Sequence, residues 1–222
     1  MIVSTNDPIT LIGGGASSDS MLRRARAFAP DVVAADGGAA VALSHGVMPR
    51  AVIGDMDSIS GADRAALGPN RIFRIDEQDS TDFDKCLRSI GAPLILGVGF
   101  LGARVDHHLA ACNSLVRHPH QRCVLLGDGD VTFLAPPQLR IDLPAGCVFS
   151  LFPMGTVTGE SQGLQWPVQG LTFAPDGRVG TSNRALGAVD LSVSAPNMLV
   201  ILPEKVLPSV VDALRDAPVW PV

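Results

Sequence analysis

Asp55-Met56-Asp57-Ser58 is the strongest local signal for chemistry in the chain. In an extended segment, carboxylates at i and i+2 point to the same side. Two such carboxylates make a hard-oxygen site of the kind Mg²⁺ takes together with waters and substrate phosphates. A turn carrying solvated acids gives the same pattern. A second signal runs from Asp76 to Lys85, with five acids in the nine residues Asp76–Asp84. Acids at that density repel one another unless a cation or a positive partner is near. Asp82 falls in the first turn of a predicted helix, where an anion is favoured by the helix dipole. That accounts for part of the run and leaves its density unexplained. Lys85 shares the helical face of Asp82 and could reach a phosphate or close a surface salt bridge. The third signal is Gly102-Ala103-Arg104-Val105-Asp106-His107-His108. Arg104 can grip a phosphate or stack on a base, and Asp106 opens a helix. His107 and His108 are adjacent, so on a helix they face different ways and read as structural or hydrogen-bonding groups rather than a joint metal site. No G-x-x-x-x-G-K-[ST] loop occurs, and Gly13-Gly14-Gly15 permits close backbone approach without specifying a nucleotide fold.

The elements that must carry these residues alternate in the first half. Apolar runs at Ile9–Ile12, Val32–Ala35, Ala51–Ile53, Leu94–Val98 and Cys123–Leu126, and the alternating segment Arg71–Ile75, predict strands. Helical spacing predicts helices at Ser17–Ala29, Ala39–His45, Thr81–Ile90 and Asp106–Val116. A β-α-β-α alternation predicts a mostly parallel sheet with helices on its faces. Ligands of such sheets bind beyond the carboxyl ends of the strands. Here those ends read Gly13, Asp36, Asp55 and Asp76, which gathers the polar groups at one edge.

Beyond Gly127–Asp130 the texture changes to short β-rich runs broken by Gly and Pro: Val131–Leu134, Cys147–Phe152, Thr156–Gly159, Leu164–Val168, Leu171–Phe173, Leu191–Val193 and Met198–Leu202. A helix follows at Leu207–Arg215. The expected fold class is therefore an α/β N-terminal domain, residues 1–128, followed by an all-β, sandwich-like C-terminal domain, residues 129–222.

Composition narrows the function classes. The 222 residues carry 17 Lys+Arg against 22 Asp+Glu, a formal net charge of −5. That balance argues against nucleic acid as the main partner. The four cysteines Cys86, Cys112, Cys123 and Cys147 are scattered, without a zinc or disulfide spacing. No apolar run is long enough for a membrane span, and the N-terminus lacks a signal-peptide pattern. The chain reads as a soluble cytoplasmic protein with no membrane partner.

Taken in order, Ala35-Asp36-Gly37-Gly38-Ala39, Gly46-Val47-Met48-Pro49, Ile53-Gly54-Asp55-Met56-Asp57-Ser58-Ile59, Asp79-Ser80-Thr81-Asp82-Phe83-Asp84-Lys85 and Gly102-Ala103-Arg104-Val105-Asp106-His107 resemble the thiamin pyrophosphokinase family of bacterial type. Ser150-Leu151-Phe152-Pro153, Gly163-Leu164-Gln165-Trp166-Pro167 and Thr181-Ser182-Asn183 extend the resemblance over nearly the whole chain. It implies transfer of pyrophosphate from ATP to the hydroxyl of thiamin, giving thiamin diphosphate and AMP, with Mg²⁺ as cofactor. It also implies an ATP-binding first domain, a thiamin-binding second domain, and a homodimer with active sites between subunits. Asp55, Asp57 and Asp82 match the family's metal and catalytic aspartates, and Asp79 joins them as a catalytic candidate. Asp36, Lys85, Arg104 and Asp106 fall to the nucleotide, while Gln78, Ser182 and Asn183 fall to thiamin. Arg184 departs from the family's frequent Glu, putting a cation where a cationic substrate is expected, so it should point away. Trp166 could stack on thiamin or sit in the sandwich core. Two alternatives remain: a metal-dependent phosphatase using the Asp55-x-Asp57 motif, and a non-catalytic thiamin or nucleotide sensor.

Overall fold

The computed structural model describes residues 1–102 and 104–221. Ala103, within the Gly102–His107 segment singled out above, and Val222 at the end of the second region lie outside the described residues. The chain divides into two compact units, Met1–Ser114 with Leu125–Gly127, and Leu115–Val124 with Asp128–Val222. The N-terminal region is α/β with parallel strands, and the C-terminal region is mostly β.

In chain order the first region contains β1 (Val3–Ser4), β2 (Ile9–Ile12), α1 (Asp19–Phe28), β3 (Asp31–Ala35), α2 (Gly38–Ser44), β4 (Ala51–Gly54) and α3 (Gly61–Leu67). It continues with β5 (Ile72–Arg74), α4 (Asp82–Ser89), β6 (Ile90–Gly91), β7 (Ile95–Val98), α5 (Val105–Arg117) and β8 (Cys123–Leu126). Strands β7-β2-β3-β4-β5 pair in that order and all run parallel. β2, β4 and β7 are buried at every residue, as strands covered on both faces are. Ala34 and Val52 pack with Ala39 of α2 and Leu67 of α3, while Ile12 and Val32 pack with Leu22 of α1 and Ala42 of α2. The helices start where side chains can accept from free backbone amides. Ser18 accepts from Met21 N, Ser60 from Asp63 N and Thr81 from Asp84 N.

β2 lies between β3 and β7, so the chain leaves it to one side and later returns on the other. Such a switch point opens a crevice at the carboxyl ends of the strands. The glycine run after β2 serves this crevice. Gly13 N and Gly15 N donate to Val98 O and Gly99 O at 2.8 and 3.0 Å. A Cβ on Gly15 would stand 2.5 Å from Gly99 O. The close approach foreseen for these glycines is thus between two loops of the protein itself.

The second region contains β9 (Asp130–Leu134), β10 (Gln138–Ile141), β11 (Val148–Pro153), β12 (Val157–Leu164), β13 (Thr172–Phe173), β14 (Gly180–Val193), β15 (Met198–Pro203) and α6 (Leu207–Asp216). Pairing is antiparallel, in the order β13-β12-β14-β11-β15-β9 with β10 also on β14. The first residues of β14 pair with β11 (Phe149↔Asn183) and the last with β12 and β10 (Gly159↔Val193, Gln138↔Ser192). α6 buries Leu207, Val210, Val211 and Leu214. Trp220 Nε1 donates to Ala135 O at 2.9 Å, which ties down the Pro-flanked tail.

Several boundaries differ from those expected. The run predicted at Leu164–Val168 is no strand: β12 ends at Leu164 after a register shift, and Trp166 and Val168 lie in the turn beyond. The predicted Leu191–Val193 is only the tail of the fourteen-residue β14. α3 and β10 were not foreseen. α3 buries only Leu67, too little for a visible apolar face. Among the described residues no helix is long and apolar enough to cross a membrane.

Candidate active site

At the carboxyl edge of the parallel sheet lies a cleft of about 410 Å³. Its walls come from the loops after β2, β3, β4 and β7 and from the start of α4: Gly13–Gly15, Asp36, Asp55, Asp82, Lys85 and Phe100 among them. Phe83 and Phe100 meet there with ring centroids 4.4 Å apart.

Asp55 and Asp57 stand on a turn rather than on an extended segment. Met56 between them has φ 68° and is buried in the cluster of Ala34, Ala39 and Leu67. Asp57 N donates to Asp55 Oδ1 at 3.3 Å and Ser58 Oγ to Asp57 Oδ1 at 2.8 Å. The carboxylates converge because the backbone reverses, not because strand residues alternate. They are joined by Asp36, so that one oxygen from each of Asp36, Asp55 and Asp57 lies within 4.8 Å of the others.

Asp36 follows β3 with φ 38° and is 2% exposed. Its Oδ2 accepts from Ser58 N at 3.1 Å. Its Oδ1 is buried with no hydrogen-bond partner among the described residues. Burial, seconded by the charge of Asp82 and the contact with Asp57, pushes this carboxyl up to about 6 against the pull of Ser58. The floor beneath it is Gly54, where a Cβ would come 2.8 Å from Asp36 Cβ and 3.0 Å from Asp82 Oδ1. Only glycine leaves room for these two acids to approach the end of β4.

Lys85 is 1% exposed and extends along α4 to the cluster. Its Nζ is 3.0 Å from Asp82 Oδ1 and 3.7 Å from Asp55 Oδ2. Burial opposes its charge, but the hydrogen bond and charge of Asp82 and the charge of Asp55 outweigh burial and raise its pKa above the ordinary lysine value. Burial likewise works against Asp55, yet the Asp57 amide, Lys85 and Gln78 together hold it below the usual carboxylate range. Gln78 is exposed and donates Nε2 to Asp55 Oδ2 at 3.4 Å. Asp79 is exposed on the approach to α4. The neighbouring Glu77 is bound by Ser80 Oγ and Arg88, which both lower its pKa.

Arg104 and Asp106 form an exposed bidentate pair, with Nη2–Oδ2 at 2.6 Å and Nε–Oδ1 at 3.2 Å. Arg104 and His107 both line the cleft. The pairing raises the guanidinium and lowers the carboxyl.

Ser182 and Asn183 belong to the second unit, on β14. Ser182 is exposed with φ 65°, and its N–H donates to Ser150 Oγ at 2.9 Å. Asn183 is turned inward at 7% exposure. Its Oδ1 accepts from Trp166 N and Arg184 N at 3.1 and 2.8 Å, and its Nδ2 donates to Trp166 O at 2.7 Å. The asparagine thereby pins the backbone of Trp166, whose side chain is 54% exposed and not part of the core. Arg184 donates to Gly146 O at 3.2 Å.

The structure thus brings Asp36, Asp55, Asp57, Asp82 and Lys85 together in the first unit, with Gln78 in contact. The Arg104–Asp106 pair stands on the wall of the same cleft. Sequence reasoning missed Ser58, which ties Asp36 to the Asp55–Asp57 turn, and Phe100, whose partner Phe83 lies in the α4 motif. The residues following predicted strand ends, read as one rim, were the available signal for both.

Residues 23–126 match the family described as thiamin pyrophosphokinase, catalytic domain. Thiamine pyrophosphokinase 1 of Arabidopsis thaliana is 32% identical over 163 residues, 65% of this chain and 61% of that protein. Thiamine pyrophosphokinase 1 of Oryza sativa subsp. japonica is 32% identical over 154 residues, 61% of this chain and 58% of that protein. The match therefore spans about three fifths of the length of these curated relatives. Among solved structures, thiamin pyrophosphokinase from Candida albicans superposes with a TM-score of 0.75 at 17% identity, covering 90% of each chain. That from Bacillus subtilis gives 0.71 at 19%, covering 89% of this chain and 98% of the other. At these identities the structures speak for the fold.

Proposed function

We propose that this chain, a member of the thiamin pyrophosphokinase family, transfers the pyrophosphoryl group of ATP to the hydroxyl of thiamin, giving thiamin diphosphate and AMP. The observation that carries the reading is the carboxylate cluster at the switch edge of the parallel sheet, inside the stretch that matches the family's catalytic domain.

The donors suit Mg²⁺: the hard carboxylate oxygens of Asp55 and Asp57 converge on one turn, and Asp82 lines the cleft beside them. Asp55, Asp57 and Asp82 would hold the ion. Bound there, it would supply neutralisation of charge on the transferring group. Phosphoryl transfers of this type depend mostly on positioning and electrostatics. Asp36, Lys85, Arg104 and Asp106 face the nucleotide in this reading, with Lys85 keeping the carboxylates from repelling one another before substrate arrives. Arg104, exposed on the cleft wall, exchanges Asp106 for a phosphate oxygen at little cost, since exposed pairs are weak. Asp79 or Asp82 accepts the thiamin hydroxyl proton. Gln78, Ser182 and Asn183 serve thiamin, Asn183 by fixing the backbone of the exposed Trp166.

In the same proposal residues 1–128 form the ATP-binding domain and residues 129–222 a thiamin-binding sandwich. The sharing of β14 between two sets of partners supports two packed sheets. The working form is a cytoplasmic homodimer with active sites between subunits. The test is a product assay with ATP, Mg²⁺ and thiamin, with and without EDTA. Equimolar thiamin diphosphate and AMP, abolished by EDTA, are expected. Thiamin monophosphate with ADP would move the attacked phosphorus. Folded protein that makes no thiamin product would overturn the substrate assignment.

A further inference from the structure

We propose that Asp36 is a direct ligand of the divalent cation held at the Asp55–Asp57 turn, so that its link to the nucleotide runs through that cation. The proposal rests on the functional reading above.

Three observations converge on it. First, Asp36 is 2% exposed and its Oδ1 has no hydrogen-bond partner among the described residues, whereas Oδ2 is bound by Ser58 N. A buried carboxylate oxygen without a protein partner is costly, and a bound ion is a group that offsets the cost. Second, among the described residues the lysine and arginine that line this cleft are engaged with other acids: Lys85 with Asp82 and Asp55, and Arg104 with Asp106. Third, the spacing suits one ion. Neighbouring corners of an octahedron with metal–oxygen bonds near 2.1 Å are about 3.0 Å apart and opposite corners about 4.2 Å. One oxygen from each of Asp36, Asp55 and Asp57 lies within 4.8 Å of the others, so side-chain movements on the order of an ångström close the set. Gly54 clears the space in which Asp36 sits beside the turn.

The test uses the full chain and Mn²⁺ alone, with free Mn²⁺ counted by electron paramagnetic resonance and Tm read in parallel. The proteins are the wild type, Asp36→Asn, Asp36→Gly and Asp57→Asn. Asparagine tolerates the positive φ of position 36, keeps an oxygen for Ser58 N and removes the charge. Asp36→Asn should bind Mn²⁺ at least about tenfold more weakly, because cation affinity follows ligand charge. Its metal-free Tm should equal or exceed that of the wild type, and its Mn²⁺-induced rise in Tm should vanish. A merely structural Asp36 would instead lower the metal-free Tm and leave Mn²⁺ affinity alone. If Asp36→Asn does not fold, Asp36→Gly, free of strain at this φ, decides by the same titration. Wild-type affinity in the Asp36 variants, with affinity lost in Asp57→Asn, would overturn the proposal and leave the functional reading standing. Failure of the wild type to bind Mn²⁺ would overturn both.

Discussion

Two regions of this molecule are rich in acids, and they are built on opposite plans. At the strand ends of the first unit Asp36, Asp55 and Asp57 converge, Asp55 and Asp82 flank a buried ammonium, and among the described residues one Asp36 oxygen has no hydrogen-bond partner. In the second unit Asp142, Glu160, Asp190, Asp212 and Asp216 line a groove of about 750 Å³, larger than the first cleft. Every one of those five is exposed. Asp190 approaches Arg140 at 4.0 Å, and Asp212 approaches Arg215 at 3.4 Å. Water screens the second group, so its charges interact weakly and require no cation. The first group is partly withdrawn from water, where like charges raise one another's energy and a cation is strongly favoured. Neither the number of acids nor the size of the cavity marks a site; what marks it is carboxylate that water does not reach.

The contrast is sharpest in turnover. On the proposed reaction, Asp57→Asn should lower the rate of thiamin diphosphate formation by roughly 10²–10³-fold, the scale of one lost electrostatic stabiliser. Because Asp57 is exposed, the stability of the variant should stay within about 0.5 kcal/mol of the wild type; near-normal turnover would remove it from the machinery. Next in size is Lys85→Met, which strips the counter-charge from Asp82 and Asp55. A loss of about 3 kcal/mol is expected, a fall in Tm of roughly 6–12 °C for a chain of this length. Divalent cation should recover part of that fall, and an unchanged Tm in calorimetry would mean the ammonium is not needed there. In the groove, Glu160→Gln combined with Asp190→Asn should alter turnover less than about twofold and stability within about 0.5 kcal/mol each. A large activity loss would break the distinction between the two acidic regions.

The smallest effect concerns an exposed pair in the first unit, His45 with Asp19. The Val41 carbonyl and then the Asp19 carboxylate raise the His45 pKa above its ordinary 6.5. The folded state therefore binds the proton more tightly than the unfolded chain. The stabilisation is complete below pH 6.5 and is lost as pH rises through the folded value. Melting of wild type and His45→Gln should differ slightly at pH 6 and converge at alkaline pH. A gap that persists unchanged at high pH would assign the effect to packing.

Much of this architecture is legible in the residues. Apolar runs and the alternating Arg71–Ile75, ending in Gly or Asp, mark the parallel strands, and helical spacing at Ser17–Ala29 and Thr81–Ile90 marks two of the helices. The Asp55–Asp57 motif and the acid run before α4 announce where charge gathers. What sequence does not carry is contact across the fold. Asp36 is buried because Gly54 and Ser58, both distant in sequence, close over it. Leu164, Trp166 and Val168 alternate like a strand, yet Asn183, seventeen residues beyond Trp166, pins that backbone in a turn instead. β14 is long because partners on three other strands sustain it, while its own sequence, with Gly180 and Gly187, reads as broken.

Met56 ties the chemistry to the order in which the protein comes apart. A non-glycine residue at φ 68° is strained by about 1–2 kcal/mol, and burial of its thioether among Ala34, Ala39 and Leu67 holds it there. Slight loosening of that small cluster releases the strain and parts the two carboxylates while the parallel ladder is still intact. On gradual heating, affinity for the proposed cation should therefore fade several degrees before the far-ultraviolet signal of the sheet does, so that the site comes apart while the chain is still folded.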